Sequence, residues 1–487
     1  MSHPFDRYSA FTDVPALKLW SSKSLRKSLR VNLLKNTVEG VRSWGEKKGW
    51  QMTPVPWCAE GLYIDRADRG EALGKDLLHI LGHVYIQEAA SMLPVALLNP
   101  QPDEAILDMS AAPGSKTTQI ASAMQGRGVI VANDVQEKRI WALSSNLQRS
   151  SVVNVMITRH VGQWFAKNMT GRFDRVLCDA PCTAQGTVRK DSDALSYCSA
   201  DNTEKMCKIQ KELLESAIHA TKIGGTIVYS TCTLTPEENE GVVLEMLRRF
   251  PDQIEVVDPR EEGLGLGFGL GEDGFDVSKA IEDSYKVQKS LSPNSQVLIP
   301  CLRLWPQTYD TEGFFSVLIR KIAATKDRVT LPMPQTFQKT ILPGSRQKAF
   351  RNSVEDWYGS SFVREDELLF QNKESMLITT NAIADFAMPS GPYLVGMPFG
   401  RDAGDNIVRV SQEILTLRGR EATKQIVNLD HDEMKAMLRG QNIEPKNSTA
   451  ENGDIILYLD GIPLCRGVLK DGKVLNRLPR EIVQMYN

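Results

Sequence analysis

The run Ile106-Leu107-Asp108-Met109-Ser110-Ala111-Ala112-Pro113-Gly114-Ser115-Lys116 decides the fold. An apolar stretch ends in an acid, a turn of small residues follows, and a helical pattern begins at Thr117. This is the layout of a strand feeding a nucleotide-binding loop in a doubly wound α/β sheet. Small side chains let backbone N–H groups come close to a ligand. The helix N-terminus adds a favourable field for a carboxylate or phosphate. An ordinary strand–turn–helix connection looks similar, so the reading depends on what lies around it.

From His83 onward the pattern alternates. A helix is expected over Gln87–Leu98, a strand over Ala105–Met109, a helix over Thr117–Met124 and a strand over Gly128–Asn133. A helix over Gln136–Arg149, a strand over Arg175–Cys178, a helix over Glu204–Thr221, a strand over Gly224–Ser230 and a helix after Pro236 follow. Phe314–Arg320 closes the series as an antiparallel edge strand. Strands separated by helices imply a mainly parallel sheet with right-handed crossovers.

Residues 1–80 read as a small α+β module, with strands at Arg30–Leu34 and Gly61–Ile64 and a helix at Val38–Lys48. Its tryptophans (Trp20, Trp44, Trp50, Trp57) are expected in the core. The first 50 residues hold ten Lys/Arg against four Asp/Glu, which is either a local RNA patch or a solvated face. The main domain spans 81–322, with the glycine-rich Gly263–Gly271 as an inserted flexible loop of no assigned chemistry. A Pro-, Lys- and Thr-rich linker over 323–342 leads to a β-rich region over 343–487. There Leu394–Gly396, Ile407–Val410, Ile455–Leu459 and Gly467–Leu469 read as strands, and Asp460-Gly461 and Asp471-Gly472 as hairpin turns.

The chain has 487 residues, is 41% hydrophobic and 24% charged, and carries a net charge of −2. These values describe an ordinary globular protein and argue against wholesale coating of nucleic acid, so any such binding must use local patches. The eight cysteines form no C-x-x-C pair and no zinc-like pattern with histidine, so no metal is expected. With no signal core and no run near the ~18 apolar residues of a membrane span, the expectation is a cytoplasmic protein with reduced thiols and no membrane partner.

Three strand ends carry chemistry. Asp134 closes the strand after the turn, where it can accept from ribose hydroxyls or cap the next helix. Asp179-Ala180-Pro181-Cys182 places an acid and a thiol at the end of the next strand, and Ser230-Thr231-Cys232-Thr233 delivers a second thiol. Cys178, inside its strand, reads as a small hydrophobe. Two thiols beside a nucleotide-like cofactor suit methylation of cytosine at carbon 5. That carbon is a weak nucleophile until a thiolate adds to carbon 6 and makes an enamine. An acid such as Asp179 suits recognition of N3 and N4 and stabilises charge at the ring. The second thiol can assist proton removal and enzyme release, and the target base must leave its stack. Chemistry alone does not decide which thiol attacks.

The turn at 106–116, Asp179–Cys182, Ser230–Thr233, Glu237-Glu238-Asn239-Glu240, Gly313-Phe314-Phe315 and Tyr85–Met92 together resemble the Nop/Sun family of RNA cytosine-C5 methyltransferases. The match covers roughly residues 25–322 and is most similar to the bacterial RsmF-type 16S rRNA enzymes. Gly453–Glu481 resembles the end of their PUA-like extension. The resemblance implies an α/β fold with a Rossmann-like class I methyltransferase core, an N-terminal RNA-binding module and a C-terminal RNA-binding region. It implies S-adenosylmethionine held by Ser110, Ala111, Ala112, Pro113, Gly114, Ser115, Lys116, Asp134 and Asp179. It also implies Cys232 as nucleophile and Cys182 as release cysteine, with Asp179 positioning the base. The expected partner is RNA, 16S rRNA or the small ribosomal subunit, and the expected state is a monomer.

Two positions depart from the family pattern. Val161-Gly162 stands where the family has Asp-Gly, whose acid helps hold adenine, so His160 or a backbone group must substitute. Thr183-Ala184 stands where Ser/Thr-Gly follows Pro-Cys, which restricts the turn if φ is positive there. The competing readings are the same chemistry on tRNA and a non-catalytic RNA-binding or ribosome-assembly factor. An N-methyltransferase is disfavoured because Asp179-Ala180-Pro181-Cys182 supplies a thiol instead of a second proline and an aromatic residue.

Overall fold

The apolar runs flanking the small-residue turn are too continuous for a sheet with one wet face. In the computed structural model they form the middle of a sheet covered on both sides. The structure describes residues 3–67, 72–260, 276–291, 298–326, 341–390, 392–446 and 448–478. Strands β1 (Lys27–Val31), β2 (Trp50–Val55), β3 (Cys58–Arg66) and β4 (Val84–Ile86) make an N-terminal sheet in the order β2-β3-β1-β4. This sheet therefore reaches past residue 80.

The large sheet is built from β5 (Ala105–Asp108), β6 (Val129–Asn133), β7 (Val155–Thr158), β8 (Phe173–Asp179), β9 (Thr221–Thr231), β10 (Ile254–Val256), β11 (Leu302–Leu304) and β12 (Phe314–Lys321). Its order is β10-β12-β9-β8-β5-β6-β7, with β11 also paired to β12. The five strands β6, β7, β5, β8 and β9 run parallel, and β12 runs antiparallel to β9. Chain order reverses at β5, which lies between β6 and β8. The crevice above the carboxyl ends of β5 and β8 is where such a sheet takes its ligand. Every residue of β6 and β7 is buried.

Several local expectations shift. The strand β12 is antiparallel as read but is no edge, because β10 pairs along its other side. The strand β7 was not anticipated; it is only four residues long and follows the helix Glu137–Arg149 after residues 150–154. The expected helix Gln87–Leu98 shortens to Leu93–Leu98, because Pro94 lies in its first turn and the chain before it makes only one 3-10 turn. The first strand lies at 27–31 and not at 30–34. Asn32 ends it by donating from Nδ2 to the carbonyls of Gly82 (2.8 Å) and Ser150 (2.9 Å). Trp44 and Trp57 are core residues as expected, whereas Trp20 and Trp50 are only half-buried.

Beyond the core lie β13 (Glu367–Asn372), β14 (Ser375–Thr380), β15 (Leu394–Val395), β16 (Met397–Asp402) and β17 (Val408–Val410). Four of them form the sheet β13-β14-β16-β17, but β15 crosses over to extend the large sheet. It pairs Leu394 with Ile157 and Val395 with Met156. A second sheet follows, from β18 (Ile426–Leu429), β19 (Gly453–Leu459), β20 (Ile462–Lys470) and β21 (Lys473–Leu475). Both Asp-Gly turns carry positive φ at each residue, at 51° and 75° for 460–461 and 51° and 76° for 471–472, as the hairpin reading requires. The β18–β21 sheet shares one apolar cluster with the N-terminal module, joining Leu29, Val31 and Trp44 to Val427, Leu457 and Cys465. The expected loop at Gly263–Gly271, and residues 327–340 of the expected linker, lie outside the described residues. Among the described residues no helix is long and apolar enough to cross a membrane.

Candidate active site

The small-residue turn is folded by contacts that its residue types permit. Gly114 has φ +107° and would press a Cβ to 3.2 Å from Leu143 Cδ1, which explains a glycine there. The N–H of Ala111 donates to the Asn133 carbonyl (2.8 Å), tying the turn to the end of β6. The helix Ser115–Ala123 then starts with its first N–H groups free of intrahelical acceptors and aimed at the crevice side. Arg30 secures this helix from beneath. It is 1% exposed and donates from Nη2 to Thr118 Oγ1 (2.7 Å) and from Nε to Gln87 Oε1 (2.9 Å).

Three carboxylates surround the turn. Asp108 is buried, accepts from Thr117 Oγ1 at 2.7 Å and leaves Oδ1 without a partner. Burial pushes its carboxyl up to about 7. Asp134 is also buried. Its Oδ1 accepts from the Gln136 N–H (2.9 Å), just before the helix, and its Oδ2 from the Ala112 N–H (3.3 Å), so it braces the turn without capping the helix Glu137–Arg149. Arg139 lies 3.4 Å from the same Oδ2. Asp179, at the tip of β8, accepts from Lys116 Nζ (2.8 Å) and from Ser230 Oγ (2.7 Å). Burial works against the Lys116 charge, but Asp179 outweighs it and holds the ammonium above its usual range. Lys116 also sits 5.7 Å from the centroid of the Phe314 ring.

The two thiols meet. Cys182 Sγ lies 3.4 Å from Cys232 Sγ, with both side chains part-buried. The contact with Cys232, then burial, push the Cys182 thiol well above its ordinary value. Cys178 is 1% exposed in β8 and inert by the same burial. The residue that joins the two cysteine loops is Glu238, which the motif comparison quotes without a role. It is fully buried. Its Oε2 accepts from the Thr183 N–H (3.0 Å) and from Gln210 Nε2 (2.8 Å), and its Oε1 accepts from the Thr183 hydroxyl. Its own carbonyl accepts from Tyr229 OH at 2.5 Å, inside β9. Behind it, Glu240 and Arg303 form a wholly buried pair (2.5 and 3.0 Å), and Arg303 also donates to the Leu234 carbonyl (2.8 Å). The Gly186 N–H donates to the Cys232 carbonyl (3.0 Å), and the Gly186 carbonyl accepts from the Gly313 N–H (3.0 Å). No periodic or compositional signal marks these contacts. Only the acids following Thr-Cys-Thr could have hinted at them.

The two departures are visible. Val161 is 57% exposed and offers no acceptor. Its neighbour His160 stacks on Trp164 at 3.9 Å and contacts Ser390 Oγ through Nε2 (2.9 Å), and burial lowers the pKa of the ring. Ala184 does take positive φ, at 55°. The donor set fits S-adenosylmethionine: a tight small-residue turn, a helix start, and buried carboxylates with one free oxygen for ammonium and hydroxyl groups.

Comparison with known proteins agrees with this arrangement. Residues 95–320 match the family described as 16S rRNA methyltransferase RsmB/F, and residues 11–89 match the N-terminal domain of 16S rRNA methyltransferase RsmF. Ribosomal RNA small subunit methyltransferase F of Aeromonas salmonicida is 33% identical over 482 residues, covering 96% of this chain and 92% of that one. The protein of the same name from Klebsiella pneumoniae is 34% identical over 472 residues, covering 95% and 91%. Among solved structures, a methyltransferase homolog from Pyrococcus horikoshii superposes with a TM-score of 0.53 at 32% identity, over 65% of this chain and 93% of that one. NSun6 from Pyrococcus horikoshii, at 21% identity and a TM-score of 0.53 over 66% and 98%, shares the fold. Relatives of this identity along nearly the whole length, on a Rossmann-like core with paired strand-tip thiols, leave one conclusion: the chain belongs to the RsmF family of 16S rRNA methyltransferases.

Proposed function

We infer that this protein methylates carbon 5 of a specific cytosine in 16S rRNA, with Cys232 as the nucleophile and Cys182 as the release cysteine. The observation that carries the reading is the 3.4 Å approach of the two sulfurs, beside the Lys116–Asp179 pair and the small-residue turn. S-adenosylmethionine is the methyl donor, and its sulfonium supplies the electrophilic methyl group. The turn 110–116 with Asp134 and Asp179 would hold it.

Cys232 Sγ adds to carbon 6 of the flipped base, converting the C5–C6 double bond into an enamine that makes carbon 5 nucleophilic. Asp179, steadied by Lys116 and Ser230, would recognise N3 and N4 of the base. After carbon 5 is methylated, its proton must leave, the C5–C6 double bond re-forms and the Cys232–carbon 6 bond breaks. Cys182 supports that release. As a thiolate it would take up the carbon 5 proton, directly or through water, while the Cys232 sulfur leaves carbon 6 as a thiolate. The domains are part of this proposal: 1–80 and 343–487, including the PUA-like end, bind RNA around a catalytic core of 81–322. The protein would act in the cytoplasm as a monomer, on the small-subunit RNA.

The roles separate in two variants. Cys182→Ala should accumulate an RNA–protein adduct that survives denaturation, and Cys232→Ala should form none. Adducts in the reverse pattern would exchange the roles, and no adduct in either would remove the covalent route. Bisulfite sequencing of rRNA and tRNA from cells lacking the protein should lose one 5-methylcytosine in 16S rRNA. A loss confined to tRNA would overturn the substrate.

A further inference from the structure

An open cleft of about 470 Å³ in the C-terminal region is lined by Arg401, Arg409, Ser411, Gln412, Arg466 and Arg477 among others. A volume of this order is in the range that takes nucleotide-sized ligands. The arginines are arranged in a way that folding alone does not favour. Arg401 and Arg409 are direct cross-strand partners in the β16–β17 ladder, and like charges in that position repel. Both are exposed, as is Arg477, and among the described residues none of the three has an ion pair or a side-chain hydrogen bond. The nearby acids are already engaged, Asp402 by Arg346 (2.6 Å) and Asp454 by Arg466 (2.8 Å).

The cleft is also fixed in shape. Gln412, the first residue of the helix Gln412–Arg418, donates from Nε2 to the Leu464 carbonyl (2.6 Å) and accepts at Oε1 from the Arg466 N–H (2.9 Å), which ties the helix start after β17 to β20 at the cleft wall. Asp454 holds the Arg466 guanidinium through Nε and Nη2 on one oxygen. A rigid pocket with unneutralised guanidinium groups is built for a multiply charged anion.

Its position sets it apart from the chemistry. The β14 end of the first sheet hangs from the amino ends of the core strands, through Thr379 Oγ1 to the Val153 carbonyl (2.9 Å) and Thr380 Oγ1 to the Gly128 carbonyl (3.1 Å). The cysteines sit at the carboxyl ends. We propose that this arginine cleft binds the sugar–phosphate backbone of the substrate RNA at a segment remote from the target cytosine. The proposal rests on the RNA reading of the active site and adds a second, separable anchor to it.

The test uses the full-length protein with a 16S rRNA fragment, measuring binding by fluorescence anisotropy across a salt series. Arg401→Ala/Arg409→Ala should bind about tenfold more weakly, and the slope of log K against log salt should fall by about 1.4–1.8, at roughly 0.7–0.9 per lost phosphate contact. Arg477→Ala should lower the slope by about half as much. S-adenosylmethionine affinity and kcat at saturating RNA should stay within twofold of wild type. The melting midpoint should hold or rise, because a repulsive pair is removed. Unchanged RNA affinity and slope in the double variant, with wild type binding and methylating the fragment, overturns the cleft alone. A wild-type protein that neither binds nor methylates rRNA would instead overturn the reading beneath it.

Discussion

Glu238 is the test of whether the two sulfurs are held by one clamp. Removing its carboxylate in Glu238→Ala strands the buried Thr183 N–H, whose acceptor at 3.0 Å is lost. A buried donor without a partner costs ~1–3 kcal/mol. Thr183 Oγ1 can turn to Thr233 Oγ1 at 3.0 Å, and Gln210 Nε2 keeps the Pro181 carbonyl at 2.8 Å, so those two groups lose less. With the cavity left by the truncated side chain, the sum is about 3–5 kcal/mol. Glu238→Gln keeps the shape and one acceptor, and should cost about 1–2 kcal/mol. The catalytic effect should be larger than stability explains. The Pro-Cys loop loses one tie to the Thr-Cys loop while the Thr183–Thr233 and Gly186–Cys232 bonds remain, and a displacement of about 1 Å between reacting groups can lower the rate ~100-fold. Methyl transfer from labelled S-adenosylmethionine, with urea midpoints measured in parallel, should show kcat falling while the KM for S-adenosylmethionine stays within twofold. The turn that would hold the donor makes no contact with Glu238 among those described. A folded Glu238→Ala variant with wild-type kcat, or one whose donor KM rises in step with the loss, would refute the clamp.

Two further outcomes follow from the same neighbourhood. Gly186→Ala would place its Cβ 2.0 Å from the Gly313 carbonyl oxygen and 2.7 Å from that of Cys232, so it should lose activity and melt earlier, as read by calorimetry. Asp108, whose folded carboxyl is raised to about 7 from an unfolded value near 3.9, binds its proton more tightly folded than unfolded. Its contribution is therefore fully present below about pH 4 and lost as pH rises towards 7, on the order of 2–4 kcal/mol. Asp108→Asn should flatten the fall in urea midpoint over that window, and a variant with the wild-type slope would show that another group sets it.

How much of this was legible depended on how local each signal is. The strand ends at Asp108, Asp134 and Asp179, the turn at 110–116 and both Asp-Gly hairpins were readable because a strand tip or tight turn is specified by adjacent residues. The strand β15 was read as a β run and assigned to the wrong sheet. Nothing in Leu394-Val395 encodes that its partner is Ile157, over 200 residues earlier. The Val155–Thr158 strand was missed because four residues are too few to show a period. At the site, the residue types that react were evident, but the residues that hold them were not. Glu238, Gln210 and Arg303 act through contacts between segments far apart in sequence.

Charge is the sharpest case of that difference. A basic N-terminus in a chain of net charge −2 suggested an RNA patch or a solvated face there, and several of its arginines and lysines are engaged by groups of the protein itself. Arg30 is buried under the turn. Lys35, pulled down to about 7 by burial, donates to the Leu81 and Arg149 carbonyls and to Thr416 Oγ1, each at 2.8 Å. Arg26, Lys47 and Lys48 pair with Asp65, Asp460 and Asp76. The same holds for two C-terminal cations, since Arg466 pairs with Asp454 and Lys473 with Glu444. Composition counts a guanidinium that braces a helix and one that awaits a phosphate alike. What separates them is the partner, and Arg401, Arg409 and Arg477 have no ion pair or side-chain hydrogen bond among the described residues. A nearly neutral protein can thus bind a polyanion without a wholly basic surface, provided some unpaired cations are gathered in one cleft.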